Sequence, residues 1–423
     1  MFRREQMNIL EKNISEINTD FDPLMDSSPA FLQDPYPTLH RMRARGHLVW
    51  SERGNQWLVT SMEEANLILK SKSFGKALER WKHPSLVMRF VQRFSGRFGL
   101  QNILRQDPPE HTRVRGLISS AFVPSVVRDL EPQIAETAEA LIDGFATTSS
   151  ADLISQFAFP LPITVIADLL GVSKDDREQF RNWSTTITGS MQGNACPYKV
   201  MKSLNASFEL RKYLRQTVAK KLKRPDESLL SRLAQVSSSD RDKLSEEELI
   251  SNSVLLLIAG HETTVNLIGN GMYYLLRNYQ DWRMLLENPQ LVDAAIEEIL
   301  RFDSPVQIVR RIANENLRIG KRSIRKDDVV TILIGACNRD GAFFYEPDRF
   351  DLFRENKKHI SFGAGIHYCL GAELARTEAR IAIRALMRRL PDMKIGNQQC
   401  IYKGPFALRG LQSLIFDPGR KSA

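Results

Sequence analysis

The stretch that begins at Ser245 constrains the fold more than any other. Ser245-Glu246-Glu247-Glu248 is a capping box, in which Ser and a Glu three residues on satisfy each other's orphan backbone N–H groups. No proline follows until Pro289. The spacing therefore predicts a helix of about 30 residues, on the order of 45 Å long at 1.5 Å per residue. Such a helix crosses a whole domain, and other elements must pack around it. Apolar residues at helical spacing from Val126 to Phe145 and from Leu370 to Leu390 predict two more amphipathic helices. Strand signals are fewer: Trp57–Thr60, Val306–Arg311, Val329–Ile334 and the tail Pro405–Phe416. The expected fold class is mainly α with a minor β-sheet region. A split into a small sheet lobe and a large helical lobe stays open, although no linker marks it.

Composition removes several alternatives. With 42% hydrophobic and 26% charged residues, this is a globular chain and neither collagenous nor disordered. Its four Cys (196, 337, 369 and 400) include no CxxC pair, so neither a zinc knuckle nor a disulfide framework is indicated. A reducing cytoplasm is the expected setting. Residues 1–20 carry no apolar h-region and are read as a poorly ordered N-terminal extension without a signal peptide. The longest apolar run, Val254–Gly260, is far below the roughly 20 residues of a membrane span. The net charge of +9 comes without a recognisable nucleic-acid module. It is read instead as a docking surface for an acidic partner.

Residues 362–371 read Phe-Gly-Ala-Gly-Ile-His-Tyr-Cys-Leu-Gly and precede one of the amphipathic helices. The plain reading is a glycine-rich turn with a buried Cys. A dinucleotide loop would need a third glycine that is absent. A Cys at a helix start meets backbone N–H groups and the positive dipole end, which favours a thiolate ligand. The loop resembles the haem-binding signature of the cytochrome P-450 superfamily, Phe-x-x-Gly-x-x-x-Cys-x-Gly, through Phe362, Gly365, Cys369 and Gly371.

Other segments extend the resemblance in the family's order. Glu298-x-x-Arg301 alone is an i,i+3 ion pair of the kind that usually decorates a surface. By resemblance Glu298 and Arg301, with Arg349 of Glu346-Pro-Asp-Arg-Phe350, form a Glu–Arg–Arg network that locks the Cys loop. On the long helix, Ala259-Gly260-His261-Glu262-Thr263-Thr264 interrupts an apolar run with groups that weaken a helix or bury polarity. A zincin HExxH would need His where Val265 stands. Glu262 and Thr263 match the family's acid–alcohol pair, which delivers protons to bound dioxygen. His111 and Arg115, four apart, put two donors on one helix face. By resemblance they hold the haem propionates together with Arg311 and His367.

The resemblance implies a cytochrome P-450 fold over residues 1–423, with the long helix over the haem. It implies haem b (iron protoporphyrin IX) with Cys369 as axial thiolate, dioxygen as oxidant, and electrons ultimately from NAD(P)H. Because the chain ends at Ala423, an external ferredoxin or flavodoxin with its reductase is the expected donor. Arg113, Lys357, Lys358, Arg376 and Arg380 are its expected contacts. A peroxygenase of this family usually has Arg and Pro in place of the acid–alcohol pair. A non-catalytic haem-thiolate ligand sensor is the alternative of another class, and it would need no proton relay. Expected substrate contacts are Leu86, Phe90, Phe94, Leu256, Ala259, Ile308, Val309 and Phe406, an apolar set that favours a lipophilic small molecule; resemblance to bacterial members of the family implies a role in secondary metabolism. Residues 74–105 carry seven Lys/Arg against one acid, Glu79. Arg89, Arg93 and Arg97 recur every four residues. The plain reading is a solvated basic helix face; the sharper one is an entrance for an anionic or carrier-tethered substrate.

Overall fold

A computed structural model describes residues 28–81, 102–119, 122–190, 197–239, 244–396 and 400–419, with Pro23, Asp26 and Gln398. Leu86, Phe90, Phe94, Arg89, Arg93, Arg97 and the N-terminal extension lie outside the described residues.

The helices are α1 (Pro29–Gln33), α2 (Tyr36–Arg45), α3 (Met62–Lys70), α4 (Glu110–Ser119), α5 (Pro124–Asp143), α6 (Pro160–Leu170) and α7 (Arg177–Ser190). They continue with α8 (Pro197–Lys223), α9 (Leu229–Ser239), α10 (Glu246–Arg277), α11 (Tyr279–Glu287), α12 (Val292–Phe302), α13 (Ile334–Cys337) and α14 (Ala372–Arg389). The expected long helix is α10, with 32 residues. Its capping box forms as the spacing requires: Glu248 N–H donates to Ser245 Oγ at 3.2 Å and Ser245 N–H to Glu248 Oε2 at 2.8 Å. Three glutamates in its first turn complement the helix dipole. The helix ends at Asn278, before the expected proline, where the backbone turns extended.

The largest apolar cluster gathers around α10. It takes Leu257, Ile268, Met272 and Leu275 from that helix, Ile134 and Ile142 from α5, Leu161 from α6 and Leu386 from α14. The two amphipathic stripes read from sequence are thus α5 and α14, each with its apolar side turned to this core.

The sheet region is small. Strands β1 (Leu48–Ser51), β2 (Gln56–Val59), β3 (Phe74–Gly75), β5 (Ile308–Ala313) and β8 (Val329–Leu333) form one sheet in the order β1-β2-β8-β5-β3. Only β2 and β8 pair in parallel there. The remaining strands are β4 (Ala151–Asp152), β6 (Leu317–Ile319), β7 (Arg322–Ile324), β9 (Lys394–Ile395), β10 (Tyr402–Lys403), β11 (Gly410–Leu411) and β12 (Ile415–Asp417). The C-terminal tail is therefore two short strands in two different sheets, because β11 pairs with β10 while β12 lies between β4 and β9.

A buried polar knot joins distant parts of the chain. Asp303, fully buried after α12, accepts from Tyr36 Oη at 2.6 Å, Tyr402 Oη at 2.9 Å and Arg409 Nε at 2.6 Å. Arg409 also donates through Nη2 to the carbonyl of Gln33 at 3.0 Å. The knot fixes the β10–β11 hairpin against α2 and the end of α12. No described helix is long and apolar enough to cross a membrane.

Candidate haem-thiolate site

The Cys369 loop is built by two left-handed glycines, Gly363 (φ 69°) and Gly365 (φ 70°). A side chain on Gly365 would also run into the carbonyl of Leu69, so the position tolerates glycine alone on two counts. The bend lets Cys369 N–H donate to the carbonyl of Phe362 at 2.9 Å. Gly371 caps α14, and its backbone amide favours the Cys369 thiolate. Burial pushes the thiol up, while that amide and the charges of Arg115 and Arg376 pull it back. Cys369 is nevertheless exposed. An accessible sulfur with an amide donor and two cations nearby is suited to bind a metal as thiolate.

On the same side the structure brings His111, Arg115, Arg311 and His367 together and adds Lys76. His111, Arg311 and Lys76 are buried, and the His111 and His367 rings stand 4.2 Å apart between centroids. Both His111 ring nitrogens and His367 Nε2 are buried with no hydrogen-bond partner among the described residues. Burial, helped by Arg311, Lys76, His111 and Arg115, pushes His367 down to about 2. Burial likewise lowers Arg311 to about 10 and holds Lys76 well below its ordinary value. Asp107 is the acid that works against these shifts, and its carboxylate accepts the Lys76 backbone N–H at 2.8 and 2.9 Å. Buried basic side chains and imidazole nitrogens without partners suit an anionic ligand. A haem has that chemistry: two carboxylates for this cluster and an iron for Cys369. The residues present therefore fit the group.

Midway along α10, Ala259 is exposed, and its neighbours Ile258, Gly260, Glu262 and Thr263 are half-buried. Thr263 Oγ1 donates to the Ala259 carbonyl at 2.6 Å, and Thr264 Oγ1 to that of Gly260 at 2.9 Å. Two such side-chain bonds in succession loosen a helix locally. Glu262, 12% exposed, has its Oε1 3.3 Å from Lys403 Nζ. His261 is fully buried, edge-on to Phe159, with Nδ1 3.4 Å from Ser184 Oγ of α7. Burial and then the charges of Lys403 and Arg181 push it down to about 3, so it is neutral.

Of the expected Glu–Arg–Arg network, Glu298 and Arg301 form a bidentate pair with both bonds at 2.7 Å, completely buried. The second arginine differs from expectation. Arg349 turns its guanidinium outward to Glu346 and is 66% exposed; only its carbonyl enters the network, accepting from Arg301 at 3.0 Å. Arg354 takes the place instead, with Nε 3.2 and 3.1 Å from the two Glu298 oxygens. The segment after Arg349 bends at Asp351, whose N–H donates to Glu298 at 2.9 Å, and this carries Arg354 inward.

The other expected contacts are distributed as follows. Arg113 pairs with Glu248, Arg376 with Glu297 at 2.6 Å and Arg380 with Asp293 at 2.5 Å. Arg376 also lies 4.5 Å over the Phe362 ring. Lys357 and Lys358 have no ion pair among the described residues. Leu256 is buried at 9% exposure, and Phe406 packs with Ile308 in the cluster around Phe31. Strand alternation puts Val309 on the opposite face, the face of Arg311, so Ile308 and Val309 do not share a wall. Sequence reading missed Lys76, Arg354 and Lys403, each of which acts on residues far away in the chain.

Comparison with known proteins agrees with this geometry. The family model described as Cytochrome P450 matches residues 54–395. Cytochrome P450 107B1 of Saccharopolyspora erythraea is 39% identical over 405 residues, covering 94% of this chain and 98% of the relative. Cytochrome P450 monooxygenase PikC of Streptomyces venezuelae is 37% identical, covering 91% of each. Among solved structures, P450BioI in complex with a hexadec-9Z-enoic acid ligated acyl carrier protein superposes with a TM-score of 0.84 at 35% identity, over 92% of this chain and 99% of that one. Likeness this extensive, in sequence and in fold alike, makes the chain a member of the cytochrome P450 family and a monooxygenase.

Proposed function

We propose that the protein inserts one atom of dioxygen into a lipophilic small molecule, with haem b held by Cys369. The overall reaction takes substrate, dioxygen, two electrons and two protons to hydroxylated or epoxidised product and one water. The observation that carries this reading is Glu262–Thr263 beside exposed Ala259, an acid and an alcohol that follow the apolar run Val254–Gly260 of the central helix. A sensor has no use for that pair.

When bound, a haem with a thiolate ligand supplies the oxygen chemistry, since the thiolate pushes electron density that favours O–O cleavage. The chain's own residues do the rest. His111, Arg115, Arg311, His367 and Lys76 hold the two propionates and are relieved of unpaired charge. Glu298, Arg301 and Arg354 keep the Cys369 loop in place. Glu262 takes protons from solvent at its carboxylate, and Thr263 passes them on when Oγ1 leaves the Ala259 carbonyl. Leu256, Val309 and Ala259 give the substrate an apolar surface.

The reading extends to a cytoplasmic enzyme of one domain in secondary metabolism, with electrons from NAD(P)H through an external ferredoxin or flavodoxin and its reductase. An acidic carrier protein is a further partner, by analogy with the carrier complex of P450BioI. Helix α8 supports it with eight Lys/Arg against one Glu. Its Lys199, Lys202, Lys212, Lys220 and Lys223 are exposed, as are Tyr198, Met201 and Phe208.

The test is the carbon monoxide difference spectrum of the dithionite-reduced protein. The wild type is expected to show the Soret band of thiolate ligation, and Cys369→Ser to lose it. A thiolate band that survives Cys369→Ser, or no haem band in wild type made with ample haem, would overturn the assignment.

A further inference from the structure

The face of α10 that carries Glu262 is a polar ladder that meets the β10–β11 hairpin. Glu262, Asn266 and Asn270 stand at i, i+4 and i+8, so they share one side of the helix. All three meet the β10–β11 hairpin. Lys403 Nζ is 3.3 Å from Glu262 Oε1, a side chain on Gly410 would overlap the Asn266 amide, and Asn270 Nδ2 donates to the Arg409 carbonyl at 3.1 Å. Gly410 is the register partner of Lys403. The glycine lets the hairpin lie close enough for the lysine to reach the acid.

The root of Lys403 is immobile while its head is not. Tyr402 before it and Arg409 across the hairpin are both bound to buried Asp303. Phe406 at the turn packs on Phe31 with ring centroids 5.1 Å apart. The four-carbon stem of a lysine is flexible, and 3.3 Å is longer than the 2.7–2.9 Å of a tight charge-assisted hydrogen bond. Both side chains keep some exposure, 12% for Glu262 and 23% for Lys403. Among the described residues the ion partner of Glu262 is Lys403. A fixed anchor with a loose ionic grip suits a carboxylate that must be held and then released.

We propose that Lys403 is a positioning residue for oxygen activation, holding the Glu262 carboxylate on the hairpin side of α10 between proton transfers. This rests on the reading of Glu262 as a proton carrier. Without Lys403 the carboxylate loses its resting place, and two electrons and two protons leave with dioxygen as hydrogen peroxide instead of completing product and water.

The holoenzyme tests this with Lys403→Met, Lys403→Arg and Glu262→Gln, using myristic acid as the probe lipophile and a surrogate ferredoxin with its reductase. Three quantities are read: product and peroxide per NADPH, the dissociation constant from the spin-state shift, and amide hydrogen exchange over 402–411. Lys403→Met is expected to lower coupling at least fivefold with matching peroxide release. The dissociation constant should stay within twofold and hairpin exchange should be unchanged, because Asp303 and Asn270 still hold the hairpin. Lys403→Arg should recover at least half of the coupling. Lys403→Met with faster hairpin exchange and weaker binding but normal coupling would make the lysine a structural tie and overturn the proposal, as would no change in any readout. Coupling lost in Glu262→Gln but kept in Lys403→Met would reject Lys403 alone. A Glu262→Gln enzyme that stays fully coupled would reject the role of Glu262, and this inference with it.

Discussion

Two charged clusters are buried in the molecule, around Glu298 and around His111, and they are built on opposite plans. Around Glu298 every charge is answered by protein. Arg301 gives its remaining donors to the carbonyls of Asn338, Pro347 and Arg349, and Arg354 gives its own to Tyr345, Glu346 and Arg349. Around His111 three imidazole nitrogens lack partners, and cations crowd one another with Asp107 as the counterweight. A closed cluster holds loops in register at the expense of desolvation that it recovers internally. An open one is unfavourable until something anionic arrives. The contrast separates residues that hold the fold from residues that wait for a ligand, although both look like buried charge.

Breaking the closed cluster should have the largest effect. Glu298→Ala leaves two buried guanidiniums without their carboxylate, a loss on the order of 3–5 kcal/mol. Urea unfolding of the holoprotein should show a sharply lower midpoint and purified protein should carry little haem; wild-type values would make the cluster decorative. The open cluster should answer differently. Arg311→Leu removes a buried charge that Asp107 offsets only in part, so the haem-free protein should keep its stability within about 1 kcal/mol. Haem transfer to apomyoglobin should meanwhile speed up about tenfold, equivalent to about 1.4 kcal/mol. A fall in haem-free stability like that of Glu298→Ala would erase the distinction. The smallest effect belongs to Arg349→Ala, whose side chain is in solvent. Its unfolding midpoint should match wild type, whereas Arg354→Ala should approach Glu298→Ala; the reverse order would restore Arg349 to the network.

What could be read from the sequence was local. The capping box, the helical stripes and the Phe362–Gly371 loop are patterns within a few turns of chain, and each appears where the spacing put it. Choosing between Arg349 and Arg354 required knowing which way the backbone bends at Asp351, and no local pattern records that. Lys76 counted only as one of the basic residues of segment 74–105, since burial of a lysine beside other cations has no sequence signature. Lys403 and Glu262 lie on separate elements far apart in the chain, and the Asp303 knot joins Tyr36 to Asp303 across 267 positions. Strand signals fixed β2, β5 and β8 to within two residues, while the tail's partition between two sheets depended on partners from elsewhere.

The parallel pairing of β2 with β8 carries a consequence for biosynthesis. Gln56 and Thr331, 275 residues apart, share a hydrogen bond across that pair. At ribosomal rates of about 5–20 residues per second, roughly 14–55 s separate the emergence of the two. Through that interval the nascent β1–β2 hairpin has one ladder of N–H and C=O groups with no strand to meet, and a two-stranded hairpin is marginal in water. The N-terminal part of the sheet is therefore the region a chaperone has most reason to shelter until the second half of the chain arrives.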